Sequence, residues 1–464
     1  MKSHKTLLFL TCVIALLALI CVVFPKDGLN LGFTTLHFPS LHKVLVKEED
    51  TSLDDLLAEE QHQQELQSLA DSVAYYRQML DSSDLRFHLP ADTFFDTLFA
   101  RMESARSQGR ILRILHYGDS QLEMDRMSDR LRAYAHNTFG GGGPGMLPIQ
   151  QHIPSRSVTQ WANGALTIQS SYGGDSTTSY RANGNYGPLT RCLRLQGGAT
   201  AGFKASTHKT VPDSFRRFGR IKVLFNNRPG PLSVSLNGTT KSCSDPGVAA
   251  LEWRLDSAVQ SLSLSLQGTA DIYGVMVDDG PGVTVDNIPM RGCSGQQFSQ
   301  INFDQLQAAY SQMDVGLIIL QFGGNSVPYI HNASSATTYA HSMGQQIDLL
   351  HRACPQATIL FLGPSDMSTT RGGELTSYPF LAEMIDILRD TVVAHGAAYW
   401  SIYHAMGGHN SMKVWNKNGL AGQDYIHFSQ KGADLMGDRF VEAFERLRAY
   451  YHFRQRHQQS LSQL

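Results

Sequence analysis

The second half of the chain alternates between short apolar runs and patterns of helical spacing. The runs VGLIILQF, ATILFLG and AYWSIY contain few polar positions, which is typical of strands buried on both faces of a parallel sheet. Helical spacing of apolar residues recurs near 299–311, 334–352, 378–395 and 430–450. Together with ILRILHY at 111–117 and VTVDNI at 283–288, this pattern predicts an α/β domain whose parallel sheet has about five strands and is covered on both faces.

Residues 151–285 have a different pattern. Alternating segments such as LSVSLNG and SLSLSLQG are separated by Gly, Asn, Asp and Pro, which predicts an antiparallel β-sandwich. The α/β pattern lies on both sides of this region, at 91–150 and at 286–464. We therefore interpret 151–285 as a domain inserted into the α/β domain rather than attached to one of its ends.

The N-terminus has the features of a membrane-targeting segment. Lys2 and Lys5 precede an uncharged run that extends from Thr6 to Phe24. As a helix this run would span about 28 Å, close to the ~30 Å hydrocarbon core of a bilayer. No A-x-A cleavage site follows it, so residues 1–26 are interpreted as an uncleaved signal anchor with a cytoplasmic N-terminus. A cleaved signal peptide is the alternative. Residues 27–90 would form a stalk with an acidic helical segment.

Composition excludes some classes of partner. The 464 residues include 39 Lys and Arg against 41 Asp and Glu, a net charge of −2. With no basic run or zinc-finger spacing, nucleic acid is not an expected partner. The scattered Cys and His residues lack the spacing of a metal site, and we expect neither a metal nor a cofactor.

Four short polar segments follow predicted strands or precede the last helix. In chain order they are GDS at 118–120, RGCSG at 291–295, QFGGN at 321–325 and DYIH at 424–427. Ser120 taken alone would more often be a helix N-cap than a nucleophile. However, the carboxyl ends of parallel strands meet at one edge of a sheet, so the first three segments should converge there.

In this order the four segments resemble the four sequence blocks of the SGNH (GDSL-type) hydrolase family. The resemblance implies a flavodoxin-like, three-layer fold and a serine mechanism. Matched by motif, Ser120 is the nucleophile, and Asp424 and His427 are its D-x-x-H partners. The oxyanion hole would consist of the backbone N–H of Ser120, the N–H of Gly295 and the side-chain amide of Asn325.

These assignments agree with elementary chemistry. A serine hydroxyl needs a base to take its proton, and His427 is suited to that role near neutral pH. Asp424 can hold the imidazole in the required tautomer. Gln121 and Leu122 replace the Leu that usually follows G-D-S in the family, a departure expected to affect the subfamily more than the chemistry.

The inserted region resembles the β insertion of peptidoglycan O-acetylesterases of this family, where it looks like a carbohydrate-binding module. The resemblance implies an extracytoplasmic, membrane-anchored serine esterase that removes acetyl groups from cell-wall or exported polysaccharide. Aromatic residues of the insertion could stack on sugar rings, although core packing is the commoner role of such residues; they are Trp161, Tyr180, Tyr186 and Trp253.

Two alternatives stay open. An O-acetyltransferase would use the same triad to pass acetyl to a sugar hydroxyl, with a membrane acyltransferase as a partner. A non-catalytic carbohydrate-binding protein could retain the fold without the reaction. For either enzyme, the residues expected to contact substrate, besides the catalytic ones, are Gly324, His409 and Trp415.

Overall fold

The computed structural model describes residues 3–32, 34–40, 53–81, 85–172, 178–179 and 184–462. The chain forms two compact units, one of Met1–Val73 with Gln459–Leu464 and the other of Ala74–Gln458. The helices in the described part are α1 (Ser3–Val23), α2 (Leu53–Asp81), α3 (Asp96–Ala105), α4 (Ser128–Phe139), α5 (Phe303–Ser311), α6 (Ala333–Ala353), α7 (Leu381–Ala394), α8 (Ile402–Met406), α9 (Ser411–Lys417), α10 (Gln430–Arg456) and α11 (Gln458–Leu461).

The strands are β1 (Leu29–Asn30), β2 (Thr35–Leu36), β3 (Phe87–His88), β4 (Ile111–Gly118), β5 (Gly145–Leu147), β6 (Val158–Ser170), β7 (Thr178–Ser179), β8 (Arg191–Ala205), β9 (Phe218–Asn226), β10 (Leu232–Leu236), β11 (Thr239–Cys243), β12 (Val248–Val259), β13 (Ser261–Asp278), β14 (Gly282–Pro289), β15 (Val315–Gln321), β16 (Thr358–Gly363), β17 (Ser368–Arg371), β18 (Glu374–Ser377) and β19 (Ala398–Ser401).

In the first unit, helix α1 contains a stretch that is long and apolar enough to cross a membrane. This stretch is His4–Val23, with a mean hydropathy of 3.0. Its length and composition fit a membrane anchor, and they fit an N-terminal signal sequence equally well.

The second unit is organised around a six-stranded sheet in the order β14-β4-β15-β16-β19-β3. The first five strands are parallel, which confirms the predicted α/β fold with about five parallel strands. The sixth strand, β3, pairs antiparallel with β19. Residues 74–90, which the sequence pattern places in a stalk, therefore belong to this unit, and two of them extend its sheet.

Neighbouring residues of each parallel strand enter two different cores, as expected for a sheet covered on both faces. On one face, Ile114 and Ile319 pack with residues of α3, α4 and α10. On the other face, Leu115 and Ile318 pack with residues of α5, α6 and α7. The domain therefore has three layers, with a central sheet between two layers of helices.

The inserted strands form a nine-stranded, mostly antiparallel sheet. Its long strand β13 pairs with β8 on one side, and with β10 and then β9 along the other. Apolar residues from all four of these strands share one core. The predicted β-sandwich is thus a single hydrogen-bonded sheet whose two arms share β13. Its edge strand β5 lies at Gly145–Leu147, slightly before the predicted start of the insertion.

The segment after β4 differs from the prediction of one helix over 122–137. A 3₁₀ turn covers Ser120–Asp125, and α4 begins only at Ser128. Met124, Asp125 and Met127 all have positive φ angles, between 58° and 62°, which L-residues adopt at some cost. These conformations are stabilised by the loop that leads into the insertion. Met124 N donates to Pro154 O, and Asp125 accepts from the backbone N–H groups of 156 and 157.

Candidate active site

The parallel sheet brings three of the four polar segments to one edge. Strand β4 lies between β14 and β15, and Gly118 is in register with Pro289 on one side and with Gln321 on the other. Ser120, Gly295 and Asn325 therefore follow the ends of three adjacent strands. The fourth segment, Asp424-Tyr425-Ile426-His427, precedes α10 and reaches the same edge through His427.

Ser120, His427 and Asp424 are joined by a continuous chain of hydrogen bonds. His427 Nε2 lies 2.7 Å from Ser120 Oγ, and His427 Nδ1 lies 2.7 Å from Asp424 Oδ2. An ionised carboxylate can only accept, so the Nδ1 hydrogen is donated to Asp424. In the neutral ring, Nε2 then presents its lone pair to the hydroxyl of Ser120. This is the tautomer that a general base requires.

Asp424 is held in its ionised form. Partial burial opposes ionisation, but the hydrogen bond with His427 and those from the backbone N–H groups of Ile426 and His427 outweigh it, so the pKa of Asp424 lies below its ordinary value. Both N–H groups lie 3.0 Å from Oδ1. The three-residue spacing thus lets one carboxylate bind the imidazole with one oxygen and its own loop with the other.

The turn that carries Ser120 is fixed on both sides. Asp119 accepts from the N–H of Gln121 at 2.9 Å, and Arg126 donates to the carbonyl of Ser120 at 3.0 Å. Burial raises the pKa of Asp119 to about 6, although the Gln121 N–H and the nearby His427 oppose that shift. Asp119 makes no direct hydrogen bond to His427, whose carboxylate partner is Asp424.

The predicted oxyanion donors are partly assembled. Asn325 Nδ2 donates to the carbonyl of Cys293 at 3.0 Å and makes a longer contact of 3.4 Å with Asp119 Oδ2. This links the loop after β15 to the loop after β14, across the end of β4. Gly295 is buried with a φ of +91°, and a Cβ there would lie 2.8 Å from Phe322 Cγ. The site therefore requires glycine at 295, but Gly295 does not itself line the catalytic cleft.

The catalytic cleft has a volume of about 230 Å³. Ser120, His427, Gly324 and Asn325 contribute to its walls. The apolar part of the lining includes Phe322, Pro328, Pro364, Met367, Ile402, Ile426 and Phe428. Tyr329 lies at its rim with 74% of the residue exposed. Gln321 also lines the cleft; it is buried, and its Nε2 has no hydrogen-bond partner within the described structure. The cleft thus combines a small apolar space with the unpaired amide nitrogen of Gln321 and the exposed Tyr329 at its rim.

The residues expected to contact substrate have three different positions. Gly324 lines the cleft, whereas His409 is exposed outside it. Trp415 does not line the cleft, contrary to the prediction. It is only 4% exposed, it packs on Phe428, and its Nε1 donates to Met406 O. Trp415 therefore packs against Phe428, a residue of the cleft wall, instead of forming the surface of the cleft.

The aromatic residues of the insertion also separate into two groups. Tyr186 and Trp253 are buried, as the core-packing interpretation states, while Trp161 is largely exposed. Tyr180 lies outside the described residues. Of the three that are described, Trp161 alone has a ring available to a sugar.

Gln121 is the residue that sequence reasoning missed. Its side chain contacts the loop of His427 from both sides, through the carbonyl of Ile426 and the N–H of Phe428. The departure from the family pattern at this position therefore affects the placement of the base. The only signal in the sequence is that departure itself.

The chain matches the model of the GDSL-like Lipase/Acylhydrolase family over residues 256–435. That segment contains Gly295, Asn325, Asp424 and His427, while Ser120 lies before it and joins the site through the fold. No match was found among curated proteins.

Solved structures extend the comparison. A peptidoglycan O-acetylesterase has a TM-score of 0.65 at 22% identity, covering 78% of this chain and 99% of its own. A family two carbohydrate esterase from Clostridium thermocellum, in complex with cellohexaose, has a TM-score of 0.27 at 10% identity, covering 55% of this chain and 95% of its own. One from Cellvibrio japonicus has a TM-score of 0.26 at 11% identity, covering 64% and 99%. The last two likenesses are too weak to support a structural conclusion.

By sequence, the class that residues 256–435 resemble is that of the GDSL-like lipases and acylhydrolases. The three-layer α/β fold is shared with the first of these structures over most of both chains, and the four polar segments meet at one edge of the sheet. The chain contains a domain of the GDSL-like lipase/acylhydrolase family.

Proposed function

We propose that this protein is an extracytoplasmic serine esterase that removes O-acetyl groups from cell-wall or exported polysaccharide through an acyl-enzyme on Ser120. The observation that carries the proposal is the continuous hydrogen-bonded chain from Ser120 through His427 to Asp424 at a cleft. A nucleophile, a base in the correct tautomer and an ionised orienting group are the parts that acyl transfer needs.

In the first half of the reaction, His427 Nε2 takes the proton of Ser120 as Oγ bonds to the acetyl carbonyl carbon. The tetrahedral intermediate then collapses, the bond to the sugar oxygen breaks, and His427 returns its proton to that oxygen. In the second half, water attacks the acetyl-enzyme while His427 accepts its proton. Collapse releases acetate and restores the Ser120 hydroxyl.

The negative charge on the carbonyl oxygen would be stabilised by the N–H of Ser120 and the N–H of Gly295, together with the amide of Asn325. One hydrogen of Asn325 Nδ2 is donated to Cys293 O, while the second makes only the 3.4 Å contact with Asp119. That second hydrogen is therefore the one that can turn to an oxyanion. Each such donor is worth about 10²–10³ in rate in enzymes where it has been tested.

The acyl group is assigned from the dimensions of the cleft. About 230 Å³ must accommodate the acyl group and part of the alcohol beside Ser120. This leaves room for a short acyl chain but not for a fatty acid. Apolar side chains such as Phe322 and Met367 suit the methyl of an acetyl group, and an exposed tyrosine at the rim suits a sugar ring.

Substrate class and location rest on different support. The structure that covers most of this chain is a peptidoglycan O-acetylesterase, which favours acetylated peptidoglycan or a related polymer as substrate. The apolar helix α1 would anchor the protein in the cytoplasmic membrane and leave the catalytic domain outside. An enzyme placed in this way would meet polymers during or after export.

The test is acetate release by the full-length chain in detergent, from O-acetylated peptidoglycan, O-acetylated glycans and p-nitrophenyl acetate. We expect turnover with the wild type and none above background with Ser120→Ala. Acetyl transfer to an added oligosaccharide with little free acetate would replace the esterase proposal by an acetyltransferase. Equal behaviour of wild type and variant on every ester would leave a non-catalytic carbohydrate-binding protein.

A further inference from the structure

A second cavity, of about 70 Å³, lies where the insertion meets the α/β domain. Its walls come from the loop before β6, from the start of β8 and from the end of β14, and most of the lining is apolar, including Met146, Leu189 and Ile288. The cavity is separate from the catalytic cleft, since the two share no lining residue.

Arg191 presents its guanidinium to this cavity. The residue is only 9% exposed, and its Nε has no hydrogen-bond partner. Within the described ranges, no carboxylate or carbonyl pairs with its guanidinium, whose described neighbour is the Tyr172 ring with its centroid 5.8 Å from Cζ. A buried N–H group without a partner, such as this Nε, is costly for a fold. Its presence in a cavity is therefore evidence for an anion that binds there.

The other charged side chains around the cavity are already bound. Asp125 accepts from the hydroxyl groups of Ser155 and Ser157 and lies 3.4 Å from Arg132. Arg132 also donates to the carbonyl of Val285. Neither group can neutralise Arg191 without giving up these contacts. The positive charge facing the cavity therefore remains for a ligand.

We propose that Arg191 binds a carboxylate group, and that this carboxylate belongs to an acidic sugar of the polysaccharide processed at Ser120. A guanidinium donates to both oxygens of a carboxylate at once, and the cavity volume fits a group of that size. The other arginine of the lining, Arg132, is already bound to Asp125 and to the carbonyl of Val285, which leaves a single cation and favours a singly charged group over phosphate.

The cavity is structurally linked to the nucleophile. Asn287 lines the cavity and donates to the carbonyl of Leu122 at 3.1 Å, two residues beyond Ser120. Tyr172, under the Arg191 guanidinium, donates to the carbonyl of Pro289, the residue in register with Gly118. In the proposal, a polymer held at Ser120 places a neighbouring acidic unit at Arg191. This substrate assignment rests on the proposed esterase function, whereas carboxylate binding does not.

Binding is measured with three probes on the full-length protein in detergent: a galacturonic acid trimer, the galactose trimer of the same length, and sodium acetate. We expect the acidic trimer to raise the melting temperature and the neutral trimer to leave it unchanged. Arg191→Gln should weaken binding of the acidic trimer at least tenfold, and Arg191→Lys should weaken it less. Arg254→Gln removes an exposed arginine of the same insertion and should bind like the wild type.

Each result decides one part of the proposal. If sodium acetate binds through Arg191 as tightly as the acidic trimer, the site is a carboxylate site but its ligand is a small free anion, not the polymer. If both trimers bind alike, or if Arg191→Gln and Arg254→Gln behave alike, the proposal is overturned.

The unliganded variant supplies a further check, because removing an unpaired buried cation should not lower the melting temperature. A loss of more than about 5 °C, which for a chain of this size is more than the shift of a few degrees expected for about 1 kcal/mol, would mean that the guanidinium has a structural partner and would also overturn the proposal. These readings do not depend on turnover. A failed esterase assay and a failed binding assay are therefore distinguishable.

Discussion

Gln121 fixes the loop of His427 by binding the backbone on both sides of the base. Its Nε2 donates to Ile426 O at 2.7 Å, and its Oε1 accepts from Phe428 N at 3.1 Å. The residue after Ser120 thus ties the loop of His427 to the turn that carries Ser120. We propose that Gln121 is a positioning residue, since these hydrogen bonds of its side chain are made with the backbone of that loop and not with Oγ or the imidazole.

Replacing Gln121 should therefore impair turnover more than substrate binding. We expect Gln121→Ala to lower kcat about 10- to 100-fold on p-nitrophenyl acetate with less than a threefold change in KM, since misplacement of a catalytic group costs rate in this range. Gln121→Glu keeps the acceptor and should recover part of the loss. Gln345→Ala, on the exposed surface of α6, is the control. A change confined to KM would contradict the positioning role.

Asp424 and Asp119 can be separated by matched substitutions. Asp424→Asn removes the acceptor for Nδ1–H and should lower kcat by about 10³–10⁴, as in other triads that lose the correct tautomer. Asp119→Asn keeps an oxygen to accept from Gln121 N and should lower kcat far less. Steady-state rates on one ester give both values. A larger loss of kcat for Asp119→Asn than for Asp424→Asn would mean that Asp119, and not Asp424, orients His427.

Substitution of Gly295 tests whether the predicted oxyanion hole needs a residue without a side chain at this position. The comparison separates the effect of a steric clash from the effect of a positive φ angle. Gly295→Ala places a Cβ 2.8 Å from Phe322 Cγ and 3.0 Å from Met343 Sδ, at a φ of +91°. Gly292→Ala is the matched control, because its φ is +77° but nothing lies within 4 Å of the added Cβ. We expect both to lose about 1 kcal/mol of stability from strain, and Gly295→Ala alone to lose most of its activity. Equal activity in the two variants would argue against Gly295 as a donor.

Tyr329 should distinguish polymer from small ester. Tyr329 is exposed at the rim of the cleft. We expect Tyr329→Ala to raise KM about 5- to 10-fold for O-acetylated oligosaccharides, because a stacked aromatic contact is worth about 1 kcal/mol. The same variant should hydrolyse p-nitrophenyl acetate at the wild-type rate. Equal losses of activity on the oligosaccharide and on p-nitrophenyl acetate would mean that Tyr329 affects the reaction at Ser120 and not the binding of the sugar.

His136 predicts a dependence of stability on pH. Burial lowers its pKa to about 3, so in the folded protein it stays neutral where an unfolded histidine, with a pKa near 6.5, binds a proton. Its contribution to the free energy of unfolding is therefore lost as pH falls below 6.5. Relative to the wild type, His136→Gln should gain about 2 kcal/mol of stability between pH 7 and pH 5. Denaturant unfolding measures this, with exposed His341→Gln as a control that shows no such gain.

The strands and helices of the α/β domain could be predicted because their hydrophobic runs and helical spacing are local properties. The runs at β4, β15 and β16 are buried on both faces. Such strands can be recognised from the sequence because nearly all of their residues are apolar. The approach of Ser120, Gly295 and Asn325 followed from the rule that parallel strands end at one edge. Their roles are still predictions, since geometry alone does not measure catalysis.

What could not be predicted depends on contacts between distant segments. The helix expected from Leu122 is interrupted because Asp125 binds a loop some thirty residues later. Trp415 is expected from the sequence to contact substrate, but it packs against Phe428 and donates to Met406 O. The side chain of Gln121 reaches a loop more than 300 residues away in the sequence. Periodicity carries no information about such partners.

The loop that braces the nucleophile segment also constrains how this protein can be rebuilt. Residues 154–157 belong to the approach to the insertion, yet they hold Met124 and Asp125 in conformations that these residues would not adopt alone. An engineer who removes the insertion, or exchanges it for another binding module, must keep this loop or replace its hydrogen bonds. A junction placed after residue 157 preserves them, whereas one at residue 150 releases the backbone next to Ser120. The unit to transfer in such chimaeras is thus the α/β domain together with the loop at residues 154–157.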